Sequence, residues 1–478
     1  MIKQIIMFGA GDISNAFSNI AKNLSVEVLF YVDNCSEKWG IPHMGKEIAP
    51  PETLFEWNEP ILISCADIKP IVQQITKMGI KNRILSLWDL IKENLSCENL
   101  YNNSIFGEDN ICEDNQYKDQ WTIIIDNFSG SWGGSEEWSH MLAEGLRAKG
   151  HVTSMIEKRS QSSYDNKVLD ITEYIKDDLS WNEHHIHILR KLCRRLPFVL
   201  VDNRSRDILY CALILKARYP AMVKIISVLH GDSEMIYKCH SMWDEVIDTY
   251  HCVSTKIKEK LKQEYKICAP KVMYSPSPIF YDADFEKEYS AVSHAPLSLG
   301  VASRLDKEYK RADLLPSLIS ELERMKCNYK LYIAGQGDCE EEIRSFVSDK
   351  KLDDKVIFHG LIHRNQMCDY WKRQDVYLNF SDSEGCSLAM MEAMSYGLVP
   401  VVTHVSGVDD FVMNEHNGFI VDVNDIENMV KNICVLDKNR YLLKNFGQRC
   451  REVIKNKCDK NRFLEYFENL IDNLIYEI

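Results

Sequence analysis

The stretch DVYLNFSDSEGCSLAMMEAMSYGLVPVV, residues 375–402, reads as a strand, a loop, a helix and a second strand. DVYLNF (375–380) is a short apolar run that ends in the polar loop Ser381–Gly385. A helix is expected from about Cys386 to Tyr396, closed by Gly397, and VPVV starts the next buried strand. That alternation is the unit of a parallel α/β sheet. Glu384 and Glu392 sit eight residues apart within it. At a helical rise of 1.5 Å per residue their carboxylates are expected about 12 Å apart. The backbone N–H groups of the first helical turn lie between them and form an anion site. One carboxylate at each end and a positive helix start between them suit a nucleotide-diphosphate sugar.

Working outward, the same alternation recurs three times. Residues 1–95 carry IIMFG, a helix from about Asp12, VEVLFYVD, PILIS, a helix from about Ile68, and ILSL. Residues 96–118 are rich in Asn, Asp and Glu without periodicity and read as a linker. A second unit, 119–292, contains WTIIIDNF (121–128), a helix near 136–149, PFVLVDN (197–203), VKIISVLH (223–230) and YHCVS (250–254). A third, 293–460, runs through APLSLGVASR (295–304), YKLYIAG (329–335), KVIFHG (355–360), DVYLNF and VPVV. From FGQRCREV onward the pattern is helical to the C-terminus, and 461–478 is taken as a terminal helix.

Composition sets the outer bounds. The chain has 478 residues, 45% hydrophobic and 27% charged, which fits a soluble globular protein of several domains. A net charge of −14 argues against a general nucleic-acid binder. The sixteen cysteines follow no CxxC or framework spacing, so reduced thiols in the cytoplasm are expected. The N-terminus runs straight into a strand without a signal peptide, and no apolar run reaches membrane-span length.

Several smaller motifs carry two readings each. GGSEEW (133–138) follows a strand and opens a helix, so Gly133 and Gly134 could face a phosphate or simply make a tight turn. His230 stands at a strand end, where parallel sheets place ligands and where structural histidines also occur. Arg304 and Lys310 could together neutralise a diphosphate, or belong to a solvated charged loop. GQG (335–337) is a permissive strand–helix turn. GAGDIS (9–14) approaches GxGxxG with Ser14 in the third glycine position, and Asp33 ends the next strand, where a ribose-binding acid would stand. That motif supports an alternative, a bifunctional protein with an NAD-dependent sugar-modifying N-terminal domain. The basic stretch HHIHILRKLCRRL (184–196) suits either an anionic membrane surface or a packed helix with a solvated face.

In order along the chain stand GGSE (133–136), LH (229–230), R-x5-K (304–310), GQG, FHGLI (358–362) and E-G-x-S-L-x3-E-A (384–393). This ordered set, spread over residues 121–478, resembles the retaining glycosyltransferases of family 4. The resemblance implies an N-terminal Rossmann-like domain followed by a GT-B fold of two facing Rossmann-like domains, with the terminal helix crossing back to the acceptor domain. It implies that Glu392 holds the ribose, Glu384 the transferred sugar, and the backbone of Cys386, Ser387 and Leu388 the diphosphate or sugar oxygens. By the same resemblance Arg304 and Lys310 neutralise the leaving diphosphate and Ile362 lies by the nucleobase. His230 stands near the reacting centre, and Gly133 and Gly134 approach the phosphates. It further implies a UDP- or GDP-sugar donor, no required metal or other cofactor, and a glycan, lipid-linked or protein acceptor in surface-polysaccharide or glycoconjugate synthesis. A non-catalytic nucleotide-sugar binder is the remaining alternative. The sequence departs from the family in two places: Arg311 follows the lysine where glycine is usual, and Cys386–Ser387 stand where Phe-Gly is usual. The first 95 residues resemble the Rossmann-like domain carried by some sugar-modifying enzymes of those pathways.

Overall fold

The computed structural model describes residues 1–95, 101, 120–127, 133–158, 172–175, 180–203, 205–289 and 295–476. Apart from Tyr101, the expected linker 96–118 lies outside the described residues. The chain divides into two compact units. One comprises Met1–Val228, Glu234–Tyr250 and Leu470–Ile478, the other Leu229–Ser233 and His251–Asn469.

The first unit holds two parallel sheets. In the first, Lys46–Ala49, Glu27–Val32, Gln4–Phe8, Ile61–Ile63 and Ile84–Leu85 lie side by side in that order, all parallel. The short strand Pro42–His43 adds antiparallel to Lys46–Ala49, a hairpin that hydrophobic alternation did not signal. Ile5, Ile6 and Met7 are fully buried, as expected of a central strand covered on both faces. The helix Asp12–Asn23 buries Phe17, Ile20 and Ala21 along one stripe. Phe17 packs at 6.0 Å from the ring of Tyr210 and 6.1 Å from that of Trp243. Asn23 bonds Asn182 at 3.2 Å, so this sheet and the next share side-chain contacts within the unit.

In the second sheet, Val223–Leu229, Phe198–Asp202, Thr122–Asn127, Val152–Lys158 and Thr172–Ile175 are neighbours in that order, again all parallel. The last two strands escaped the sequence reading. The basic stretch forms the helix Trp181–Cys193, entered through a capping box between Ser180 and Glu183. Its apolar side, Ile188, Leu189, Leu192 and Cys193, is fully buried within the unit. Arg190 and Arg194 on its basic side are exposed.

The second unit is built on one six-stranded sheet. Its order is Val356–Gly360, Tyr329–Ala334, Leu297–Ala302, Val376–Asn379, Val399–Thr403 and Phe419–Val421, with every pairing parallel. The chain lays down Leu297–Ala302 first, moves outward on one side, then returns to place Val376–Asn379 on the other. The strand order therefore reverses between these two, which makes their carboxyl ends a topological switch point. The C-terminal helical pattern divides into two helices, Tyr441–Lys457 and Lys460–Tyr476. The break falls at Cys458–Asp459, where the Asp459 carboxylate accepts from Arg462 N at 2.9 Å as a new N-cap. Among the described residues no helix is long and apolar enough to cross a membrane.

The cysteine expectation needs one correction. Cys327 and Cys434 are joined as a disulfide with a Cα–Cα distance of 5.8 Å, while twelve cysteines among the described residues are free thiols. Residues 107 apart in sequence gave no spacing signal for this pair.

Candidate functional site in the second unit

Arg304 and Lys310 follow the carboxyl end of Leu297–Ala302, and Glu384 follows that of Val376–Asn379, so all three stand in loops at the switch point. Backbone bonds frame the first loop. Ser303 N donates to Ala334 O at 3.1 Å, Leu305 N to Gln336 O at 2.9 Å and Cys339 N to Leu305 O at 2.9 Å. Gly335 N donates to Gly360 O at 2.7 Å. A Cβ on Gly335, whose φ is +132°, would overlap Ser303 O, and one on Gly337 would overlap Leu305 O. The GQG glycines are thus required by close backbone approach to the Arg304 loop, and are more than a permissive turn.

Lys310 Nζ meets Glu384 Oε1 at 2.5 Å. The two side chains are 23% and 11% exposed, so this pair is shielded from bulk water. Arg304 is different: it is 64% exposed and reaches Asp306 at 3.3 Å. Arg311 adopts a left-handed φ of +52°, a region that favours glycine. Its guanidinium holds Asp313 at 3.0 Å and the side chain of Asn424. Tyr309, two residues before Arg311, is also left-handed, at +62°, and its carbonyl accepts from Asp382 N at 3.0 Å. The lysine loop and the glutamate loop are therefore hydrogen-bonded along their backbones as well as through side chains.

The helix after Glu384 begins at Leu388, two residues later than expected, and ends at Ser395. Ser387 caps it, its hydroxyl accepting from Met390 N at 3.3 Å. Gly397 closes it with a φ of +78°. Glu384 consequently lies in the loop, and helical rise governs only the last half of the interval to Glu392. The 12 Å expectation, which counted the whole interval as helix, loses its basis. Gly385 is buried against the second-unit segment Leu229–Ser233: a Cβ there would overlap the His230 carbonyl. Ser383 Oγ donates to Asp232 O at 3.2 Å, fastening the same two segments. His230, the strand-end histidine, is thus carried on backbone that packs directly on the glutamate loop.

Glu392 is half-buried on the following helix. Burial raises its carboxyl above the usual carboxylate range, with the Arg364 charge and the Trp371 indole pulling the other way. Ile362 is half-buried and packs against the cluster that includes Trp371, Tyr370 and Met391. Cys386 is half-buried with its sulfur 3.9 Å from Met391 Sδ, and desolvation pushes its thiol well above the ordinary range. Gly133 and Gly134 belong to the first unit, where Gly133 is the N-cap of Gly134–Ala148.

Three residues that the sequence reading did not single out stand around Glu384. Ser381 Oγ donates to Glu384 Oε1 at 2.8 Å and Asn379 Nδ2 to the same oxygen at 3.4 Å. Thr403 Oγ1 donates to Ser381 O at 2.6 Å. The signal available was a polar Asn at the end of an apolar strand and a serine three residues before the glutamate.

In the first unit GAGDIS does form a strand–helix turn, with Gly9 at a φ of +109°. Asp33 reaches this turn but is engaged within the protein. Its carboxylate accepts from Ala10 N at 2.9 Å and Cys35 N at 2.9 Å, and pairs with Lys38 at 3.0 Å. Burial works against the charge, yet these partners hold the carboxyl below its ordinary range. Ser14 Oγ lies 2.8 Å from His43 Nε2.

Residues 284–453 match the family model described as glycosyl transferases group 1. Arg304, Lys310, Ile362, Glu384, Cys386, Ser387, Leu388 and Glu392 all fall inside that stretch, whereas His230, Gly133 and Gly134 lie outside. Residues 1–85 match a second model, C2185-like, N-terminal. The chain is 31% identical over 201 residues to a poly(ribitol-phosphate) alpha-N-acetylglucosaminyltransferase of Staphylococcus aureus, covering 41% of this chain and 40% of that protein. It thus spans about two fifths of the length of that relative. It is 21% identical to the N-acetyl-alpha-D-glucosaminyl L-malate synthase of Bacillus anthracis over 71% of this chain and 94% of that one. Among solved structures it is similar to the pneumococcal O-GlcNAc transferase GtfA in complex with UDP and GlcNAc. That likeness has a TM-score of 0.62 and 13% identity, and covers 75% of this chain and 99% of that chain. At such identity the likeness speaks to the fold, which is α/β and of the GT-B class, with Rossmann-like sheets.

Proposed function

We propose that this chain is a retaining glycosyltransferase of family 4, transferring a sugar from a nucleotide-diphosphate sugar to a glycan, lipid-linked or protein acceptor. The observation that carries the reading is the cluster at the switch point. There a shielded Lys310–Glu384 pair, an exposed Arg304 and a capped helix start all fall within the residues that match the glycosyl transferases group 1 model. The relatives named above add weight to a UDP-linked N-acetylhexosamine as donor.

In this reading the anomeric C–O bond breaks as the nucleoside diphosphate leaves, and charge grows on its outer phosphate. Arg304, Lys310 and the N–H groups at the start of Leu388–Ser395 stabilise that charge, the role that a divalent metal serves elsewhere. The acceptor hydroxyl attacks on the same face, its proton passing to the departing phosphate, so the configuration at the anomeric carbon is kept. His230 lines the reacting centre, Glu384 holds the sugar hydroxyls, Glu392 the ribose and Ile362 the base. The phosphate role of Gly133 and Gly134 rests on the family resemblance alone. The enzyme works in the cytoplasm on surface-polysaccharide or glycoconjugate assembly. Any membrane contact of the 184–196 helix is through charge, because its apolar side is buried. The NAD-dependent alternative loses its strongest support, since the Asp33 carboxylate is engaged by Ala10, Cys35 and Lys38.

Thermal stabilisation against UDP, GDP, ADP, UDP-sugars, GDP-mannose and NAD tests the reading. A shift with one nucleotide and its sugars, abolished by Glu392→Ala, is expected. A shift with NAD alone, unchanged by Glu392→Ala, would move the function to the first 95 residues and end this proposal.

A further inference from the structure

All three partners of Glu384 converge on one oxygen. Oε1 receives Lys310 Nζ at 2.5 Å, Ser381 Oγ at 2.8 Å and Asn379 Nδ2 at 3.4 Å, whereas Oε2 takes no hydrogen bond or ion pair among the described residues. The two neutral donors are themselves held. Ser381 N donates to Asn379 Oδ1 at 2.6 Å, which fixes the amide with its NH2 toward the carboxylate. Thr403, on the neighbouring strand, anchors the Ser381 carbonyl at 2.6 Å. Asn379 Nδ2 also lies 3.4 Å from Tyr377 OH, which in turn is 3.2 Å from the Ser387 hydroxyl at the helix cap. Tyr377 is buried and its phenol is pushed well above the ordinary range, so it enters this chain as a neutral hydroxyl.

A carboxylate whose one oxygen accepts three donors cannot rotate without losing all of them. We propose that Ser381 and Asn379 are positioning residues that make Oε1 the structural oxygen of Glu384 and present Oε2 to a hydroxyl of the donor sugar. The same chain, through Tyr377, sets that carboxylate in register with the Ser387-capped helix start, which faces the diphosphate. Recognition of the sugar and of the diphosphate are thereby tied to one scaffold at the end of a single strand. The inference deepens the glycosyltransferase reading and rests on it.

Calorimetric titration of UDP, GDP, UDP-GlcNAc, UDP-glucose and GDP-mannose into wild type, Ser381→Ala and Ser381→Thr provides the test, with acceptor-independent hydrolysis of the bound donor measured alongside. Ser381→Ala should bind the free nucleoside diphosphate as wild type does. It should lose about tenfold of the affinity contributed by the sugar, the scale of one hydrogen bond to a charged group. Its hydrolytic turnover should fall, and Ser381→Thr should restore both. Ser381→Cys keeps the volume with a poor donor and should show the same selective loss if the alanine variant does not fold. Equal losses for nucleotide and nucleotide sugar would show a merely structural serine and overturn the proposal, as would no loss at all. Failure of wild type to bind any nucleotide sugar would instead defeat the glycosyltransferase reading, and this inference with it.

Discussion

Lys310 Nζ stands 2.5 Å from Glu384 Oε1, at the point where the strand order of the second unit reverses. Each charge is the other's counter-ion, and both side chains are largely shielded from water. An incoming diphosphate shares the lysine with a carboxylate already fixed in place. Lys310→Ala removes a transition-state cation and leaves Glu384 without its charged partner. Turnover should drop by about 10²–10³-fold, the scale for a lost oxyanion-stabilising group. Steady-state kinetics with the donor found by thermal shift measures this, and near-normal kcat would remove Lys310 from the mechanism.

Arg304 offers a contrast, because its side chain is mostly in solvent and its pair with Asp306 is a surface one. Surface pairs contribute about 0–1 kcal/mol, so Arg304→Ala should leave Tm nearly unchanged. Its effect should appear in kcat, with nucleotide affinity largely kept. A variant that unfolds, or one with normal turnover, contradicts this assignment.

Glu392 makes a prediction with two opposite signs. Its folded carboxyl titrates above the unfolded value because the charged form is desolvated. The folded state therefore holds its proton to higher pH than the unfolded chain. This group contributes no penalty at pH well below the unfolded value, and stability falls as pH rises toward and through the folded value. At neutral pH, above the unfolded value, this group therefore costs stability. Glu392→Gln should then raise Tm at pH 7, less at pH 4, and still weaken nucleotide binding. Melting curves at the two pH values with and without UDP read both effects. A loss of stability at neutral pH would contradict the sign.

Arg311 has a left-handed backbone, a conformation that is most costly for a side chain branched at Cβ. Arg311→Gly and Arg311→Val both lose the contacts to Asp313 and Asn424, so comparing them isolates the backbone term. The glycine variant should be the more stable of the two by about 1–2 kcal/mol, measured by denaturant unfolding. Equal stabilities would mean that the loop relaxes out of the left-handed region.

Much of this was legible in the sequence, and the reasons are specific. The strand at 376–379, the strand at 399–403 and Gly397 between them follow from apolar runs and a helix-ending glycine. Arg304, Lys310 and Glu384 could be placed after strand ends, which a parallel sheet gathers along one edge; the roles given them rest on the family resemblance. The helix starts two residues after the expected Cys386 because the Ser387 hydroxyl is its N-cap, which spacing of apolar residues alone does not locate. Ser381, Asn379 and Thr403 were passed over because their role depends on rotamers and on a neighbouring strand, which spacing along one chain does not reveal. Asp33 was read as a ligand-facing acid; its partner Lys38 lies five residues on, close enough in sequence to have raised the question. The strand Val152–Lys158 was missed because the run HVTSMIEK alternates too little to stand out from a loop.

The backbone weave between residues 303–305, 335–337 and 360 has a consequence for how such a chain tolerates change. The cations that would meet a phosphate ride on a frame held by amide-to-carbonyl bonds and by glycines with no room for a methyl group. Exchanging what the frame carries is a local event, felt by one ligand group. Adding a single carbon at Gly335 or Gly337 displaces the mounting itself. Divergence among relatives of this chain should therefore run through the side chains of these loops, with the bare positions between them as the fixed points.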